Sequence, residues 1–157
     1  MPIPFQMIAL PIEDFDSLLS LSDEELLARG ARRVVADKKP GFPCRVSLIN
    51  AEPGETVLLV PFTHHDVDSP YRASGPIFIR ADARTAKPAI NEIPEMFRSR
   101  LLSIRAYDEA GMMVGSEVAE GRELEEHISH FFADSSVKYL HLHSARPGCF
   151  NCRVERA

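Results

Sequence analysis

The sequence predicts an α+β domain: a mainly antiparallel sheet of about seven strands with two or three helices packed on one face. Three observations predict it. Short β-rich segments outnumber helical ones, and their joints are turns of the hairpin kind rather than strand–helix–strand crossovers. The 12 prolines and 8 glycines punctuate the whole chain and gather into no linker, which predicts one domain over residues 1–157. Hydrophobic residues at 45% and charged residues at 26% are ordinary for a chain that buries a core.

Each element follows from its local pattern. Phe5 to Leu10 reads as a first strand, closed by Pro11. Residues 12–20 mix acidic and apolar positions and predict a loose helical turn. Ser22 then starts a better helix, because Glu25 stands three residues on and completes a capping box. Asp23, Glu24 and Glu25 suit the positive end of the helix dipole, and Gly30 supplies a left-handed stop. Arg33–Ala36, Arg45–Ile49 and Thr56–Phe62 are three β-rich segments. Pro53-Gly54 predicts a tight turn that pairs the last two as a hairpin. A long polar loop, His64 to Gly75, precedes a short strand at Pro76–Arg80. Residues 81–99 are irregular, with a helical turn after Pro94.

The C-terminal half reads more clearly. Leu101–Tyr107 and Met112–Val118 flank Asp108-Glu109-Ala110-Gly111, a hairpin signal in which Gly111 is free to take positive φ. Arg122–Ala133 is the best helix. Its stripe of Leu124, Ile128, Phe131 and Phe132 predicts docking on the sheet, with Phe131 in the buried face and His127 and His130 on the wet side. Val137–His143 is a further strand. The chain turns at Arg146-Pro147-Gly148 and ends in a short strand near Phe150–Glu155.

Charge and composition narrow the function. The net charge of −5 argues against a general nucleic-acid binder. Of the 18 basic residues, 14 are Arg and 4 are Lys, and the planar Arg fork suits carboxylate and phosphate. No apolar run reaches the roughly 20 residues of a membrane-spanning helix. The first residues lack a basic start, and three cysteines form an odd set. A cytoplasmic protein with free or metal-bound thiols is therefore expected, with no membrane or nucleic-acid partner. P-loop, Rossmann and nucleophile-elbow signatures are absent.

Chemistry-bearing residues gather in three segments: Pro43-Cys44-Arg45, His64 to Pro76, and His141 to Arg153. A resemblance rests on some of the same residues. Pro43-Cys44-Arg45-Val46-Ser47-Leu48, Asn50 to Glu55, Ser69 to Arg80 and Gly148-Cys149-Phe150 together resemble a bacterial family catalogued as domain of unknown function 1203. The resemblance implies a small bacterial protein and brings no activity, cofactor or site residue.

The residues themselves support three readings. The leading one is a small-molecule or anion-binding domain, enzymatic or not, with a ligand held by Arg72, Ser74, His64, His65, His141, His143, Cys44 and Cys149. Arg72, Ser74 and the Gly75 N–H would grip a carboxylate or phosphate, and His65 with Asp66 would serve as an acid/base element. This reading requires the His64–Gly75 loop and the His143–Cys149 turn to meet, with Arg72 as the anion anchor. It needs no metal or cofactor. The second reading is a structural or interaction domain whose polar loop shapes a surface, with Arg72 paired to its own loop's acids. The third is a zinc protein. His141 and His143 share one face of a strand, Cys149 and Cys152 have Cys-x-x-Cys spacing, and the four make a sensible tetrahedral set. Phe150 between the two cysteines speaks instead for inert thiol packing.

Overall fold

A computed structural model of the chain describes residues 2–157. The described residues form eight strands and four α-helices in the order β1 (Phe5–Ile8), α1 (Asp16–Leu19), α2 (Asp23–Ala28), β2 (Arg32–Val35), β3 (Thr56–His65), β4 (Ala73–Arg80), α3 (Glu95–Arg98), β5 (Leu101–Tyr107), β6 (Met113–Glu120), α4 (Leu124–Phe132), β7 (Tyr139–Ser144) and β8 (Phe150–Arg156). Among the described residues no helix is long and apolar enough to cross a membrane.

The fold class is α+β with every pairing between these strands antiparallel, but the strands divide into two sheets rather than one. The larger has the order β1-β8-β7-β5-β6, and the smaller β2-β3-β4. Each sheet has its own core. On the larger sheet, Leu102, Ile104, Leu140, Leu142, Cys152 and Val154 point to one side and pack under Leu124, Ile128 and Phe132 of α4. On the smaller, Leu58, Val60, Ile77 and Ile79 pack with Leu26 of α2 and Phe15. The helices therefore serve two sheets, not one shared face.

Local signals explain the elements that match. The capping box forms as Ser22 Oγ accepts from the Glu25 N–H and the Glu25 carboxylate accepts from the Ser22 N–H. Gly111 takes φ +75° in the β5–β6 turn. On α4 the deepest ring is Phe132, 2% exposed, while Phe131 is only partly buried. The stripe is rotated by about one position from the Leu124–Ile128–Phe131 face, as i, i+4, i+8 spacing allows.

Two expectations fail. Arg45–Ile49 is a turn, not a strand: Leu48 donates to the Cys44 carbonyl, Cys44 donates to Ile49, and Leu48 takes φ 56°. Its β-propensity loses to the burial of Arg45 and Val46. The β3 strand consequently pairs with β2 and β4 instead. The His64–Gly75 loop is also shorter than expected. The β3 strand runs through His65 and β4 begins at Ala73, so His64, His65 and Ser74 are strand residues.

Candidate histidine cluster between the sheets

The second face of the larger sheet carries the polar side chains. β5 places Ser103, Arg105 and Tyr107 there, alternating with core residues Leu102, Ile104 and Ala106. On β7, Tyr139, His141 and His143 alternate with Leu140 and Leu142. Register sets Arg105 opposite His141 and Ser103 opposite His143. Every residue of β7 is buried, because the end of β3 covers this second face.

Two irregularities aim the side chains. The β3–β4 register shifts between Phe62 and His65, and such a bulge lets neighbouring residues turn to one side. His64 and His65 thus both reach His141, with ring centroids 6.3 Å and 5.2 Å away. A second shift, between Leu142 and His143, pairs His143 with Phe150. His64 stacks on Phe150 at 5.4 Å and meets His143 edge-on at 5.0 Å.

The four histidines differ in their hydrogen bonds. His65 is satisfied at both nitrogens: Nδ1–H donates to the Tyr71 carbonyl at 2.8 Å, and Nε2 accepts from the Tyr139 hydroxyl at 2.6 Å. It braces the β3–β4 loop against β7. In His143, Nδ1–H donates to the Gly148 carbonyl at 2.9 Å, while Nε2 is buried with no partner. His64 Nδ1 and His141 Nδ1 are likewise buried and unpartnered.

Burial removes charge from these rings. Desolvation pulls His141 down to about 2, His143 to about 3 and His64 to about 4, with neighbouring cations and rings adding smaller downward pushes. Arg105 is one such cation, acting on both His64 and His143. Arg45, 2% exposed, is another, acting on His143. Its Nε–H donates to the Phe150 carbonyl at 2.7 Å and its Nη1–H to the Pro43 carbonyl. Desolvation lowers it to about 10, against the nearby sulfur atoms of Cys149 and Cys44. Among the described residues neither Arg45 nor Arg105 has an ion pair with a carboxylate.

The remaining candidates lie elsewhere. Arg72 is exposed and ion-paired to Asp66 at the tip of its own loop. Ser74 is exposed and lines a different cavity with Pro61 and Pro76. Cys44 belongs to the smaller sheet's core, its sulfur accepting from the Ser47 and Arg80 N–H groups. Cys149 is half-buried in the turn after β7, within reach of the Arg45 charge. Cys152 sits opposite Leu142 on the far side of the sheet from His141 and His143. The four side chains of the set His141, His143, Cys149 and Cys152 therefore do not face one point, and desolvation raises the Cys152 thiol to about 12. Among the described residues no group of three or more His, Cys, Asp or Glu has metal-holding geometry. All three thiols are free.

His64 at the end of β3 meets His143 at the end of β7, while Arg72, the expected anion anchor, stays at the tip of its own loop. Sequence reasoning missed Arg105, Tyr107 and Tyr139. Their signal was the shared alternation of β5 and β7, whose polar faces are side by side once the strands pair. Three open cavities among the described residues, about 480, 920 and 240 Å³, are not lined by His64, His141 or His143. Their walls hold one unpartnered buried side-chain atom, Ser47 Oγ, whereas the cluster holds three. Unpaired buried polar atoms carry a direct cost that open space does not, so the cluster is the stronger candidate.

Residues 41–156 match the family model described as Protein of unknown function (DUF1203). No curated protein and no solved structure matches the chain.

Proposed function

This chain belongs to the DUF1203 family of proteins of unknown function, and we propose that it binds a small oxyanion at the cluster of His64, His141 and His143 beside Arg105. One observation carries the reading: three imidazole nitrogens are buried without partners next to guanidinium groups that lack a carboxylate. Leaving a buried polar group unpaired costs about 1–3 kcal/mol. A buried charge without a counter-ion costs more. An oxyanion relieves both, since it offers partners to the unpaired nitrogens and a counter-charge to the buried Arg45 and the partly buried Arg105, whose fork suits it.

The alternatives account for less. A purely structural cluster would be satisfied internally, as His65 is. A dication would face Arg105 and Arg45 with no carboxylate to offset them.

Thermal unfolding tests the reading, using millimolar inorganic phosphate, sulfate, acetate and zinc chloride in turn. An oxyanion present at 100 times its Kd adds about 2.7 kcal/mol, a rise of several degrees in a chain of this size. Arg105→Ala should abolish that rise while the ligand-free Tm changes little. Stabilisation by zinc alone, or by no oxyanion, would overturn the reading.

A further inference from the structure

We infer that the oxyanion is one that keeps a hydroxyl of its own at neutral pH, hydrogen phosphate being the simplest, and that His143 selects it. The inference rests on the oxyanion reading and sharpens it to a ligand class.

The argument starts from a backbone carbonyl. The Gly148 carbonyl only accepts, so the 2.9 Å contact places the proton of His143 on Nδ1. Nε2 then presents a lone pair. That atom is buried, unpartnered and part of a ring with no exposed surface. The ring is held in place by the β7–β8 bulge and by Phe150, whose centroid is 5.8 Å away. The lone pair therefore cannot turn elsewhere without breaking the bond to Gly148.

A fully deprotonated oxyanion meets this lone pair badly. Its oxygens accept as well, and two acceptors face to face repel. A second proton on His143 would remove the clash, but the ring is desolvated and already beside the Arg105 and Arg45 charges. An anion with its own O–H resolves the conflict: the hydroxyl donates to His143 Nε2 and the charged oxygens face Arg105. His64 and His141 have no contact that fixes their tautomer, so their Nδ1 atoms adapt to either partner. His143 is thus a specificity determinant by rejection. A site built to pair one hydroxyl discriminates strongly against the analogue that lacks it.

Phosphate and sulfate make the decisive pair, because they share shape and size while only phosphate keeps a hydroxyl at neutral pH. Isothermal titration of the full chain at pH 7 with inorganic phosphate should give at least about tenfold tighter binding than with sulfate, the ratio expected for one charge-assisted hydrogen bond. His143→Ala should weaken phosphate, which loses its acceptor, and tighten sulfate, which loses a repulsive contact, bringing the ratio towards one. Arg105→Ala should weaken both together. Equal binding of the two anions by the unaltered chain overturns the selectivity and leaves the oxyanion site standing. Binding of neither overturns both. Should His143→Ala fail to fold, the comparison in the unaltered chain still decides.

Discussion

The two faces of β7 differ in a way their burial does not reveal. Leu140 and Leu142 on one side and His141 and His143 on the other are all at most 2% exposed. The leucines face a core closed by α4, where every neighbour is apolar and contact itself is stabilising. The histidines face β3, where rings touch yet two of their nitrogens find no partner. One face is optimised for folding. The other holds groups in a state that folding alone disfavours, as functional sites do.

Deleting a side chain from the leucine face should have the largest effect. Leu142→Ala removes a fully buried leucine, and about 2–5 kcal/mol should be lost from the urea unfolding free energy. A midpoint near that of the unaltered chain would show that this face is not the core.

Acid should attack the other face. In the folded chain His64, His141 and His143 titrate below their ordinary value of 6.5, while the unfolded chain takes up those protons near it. Below about pH 6.5 the unfolded state binds more protons, so stability is full above that pH and falls as pH drops through 6 and 5. Each fully shifted ring contributes a slope of at most about 1.4 kcal/mol per pH unit, and the half-exposed His64 contributes less. Chemical denaturation between pH 7.5 and 4.5 measures the slope. His141→Leu should flatten it.

The same substitution sharpens the contrast at neutral pH. His141→Leu replaces a ring with an orphaned nitrogen by an apolar group, and the ligand-free chain should gain about 1 kcal/mol while oxyanion binding is lost. A loss of stability would mean that His141 braces the fold as His65 does. The smallest effect belongs to Arg72→Ala. Its exposed pair with Asp66 is worth about 0–1 kcal/mol, and both Tm and oxyanion binding should stay within error.

Part of the candidate cluster was legible, and the reason lies in strand periodicity. Tyr139-Leu140-His141-Leu142-His143 alternates strictly, so the sharing of one face by the two histidines followed from the strand itself. The grouping of His64 with them was an inference from residue types. Arg72 lies away from the histidine cluster for a physical reason: a loop-tip Arg two residues from solvent-exposed Pro70 pairs with Asp66 of its own loop. Arg105 looked like an ordinary polar residue of a half-exposed strand, because nothing in β5 alone says that a second sheet borders its wet face.

The sequence by itself determined what near neighbours decide: the capping box at Ser22, the Gly111 turn, the apolar stripe of α4 and the alternation of β5 and β7. These are set by hydrogen bonds within a few residues or by a fixed helical or strand period. Only the tertiary structure decided that the strands divide into two sheets, that Arg45–Ile49 turns instead of extending, and that the polar face of β7 is sealed by β3. Those outcomes depend on pairings between distant segments, as in the Arg45 contact to Phe150 across 105 residues. Local propensity carries no information about which distant partner is chosen, because competing pairings differ in buried area and satisfied hydrogen bonds that exist only once the whole chain has packed.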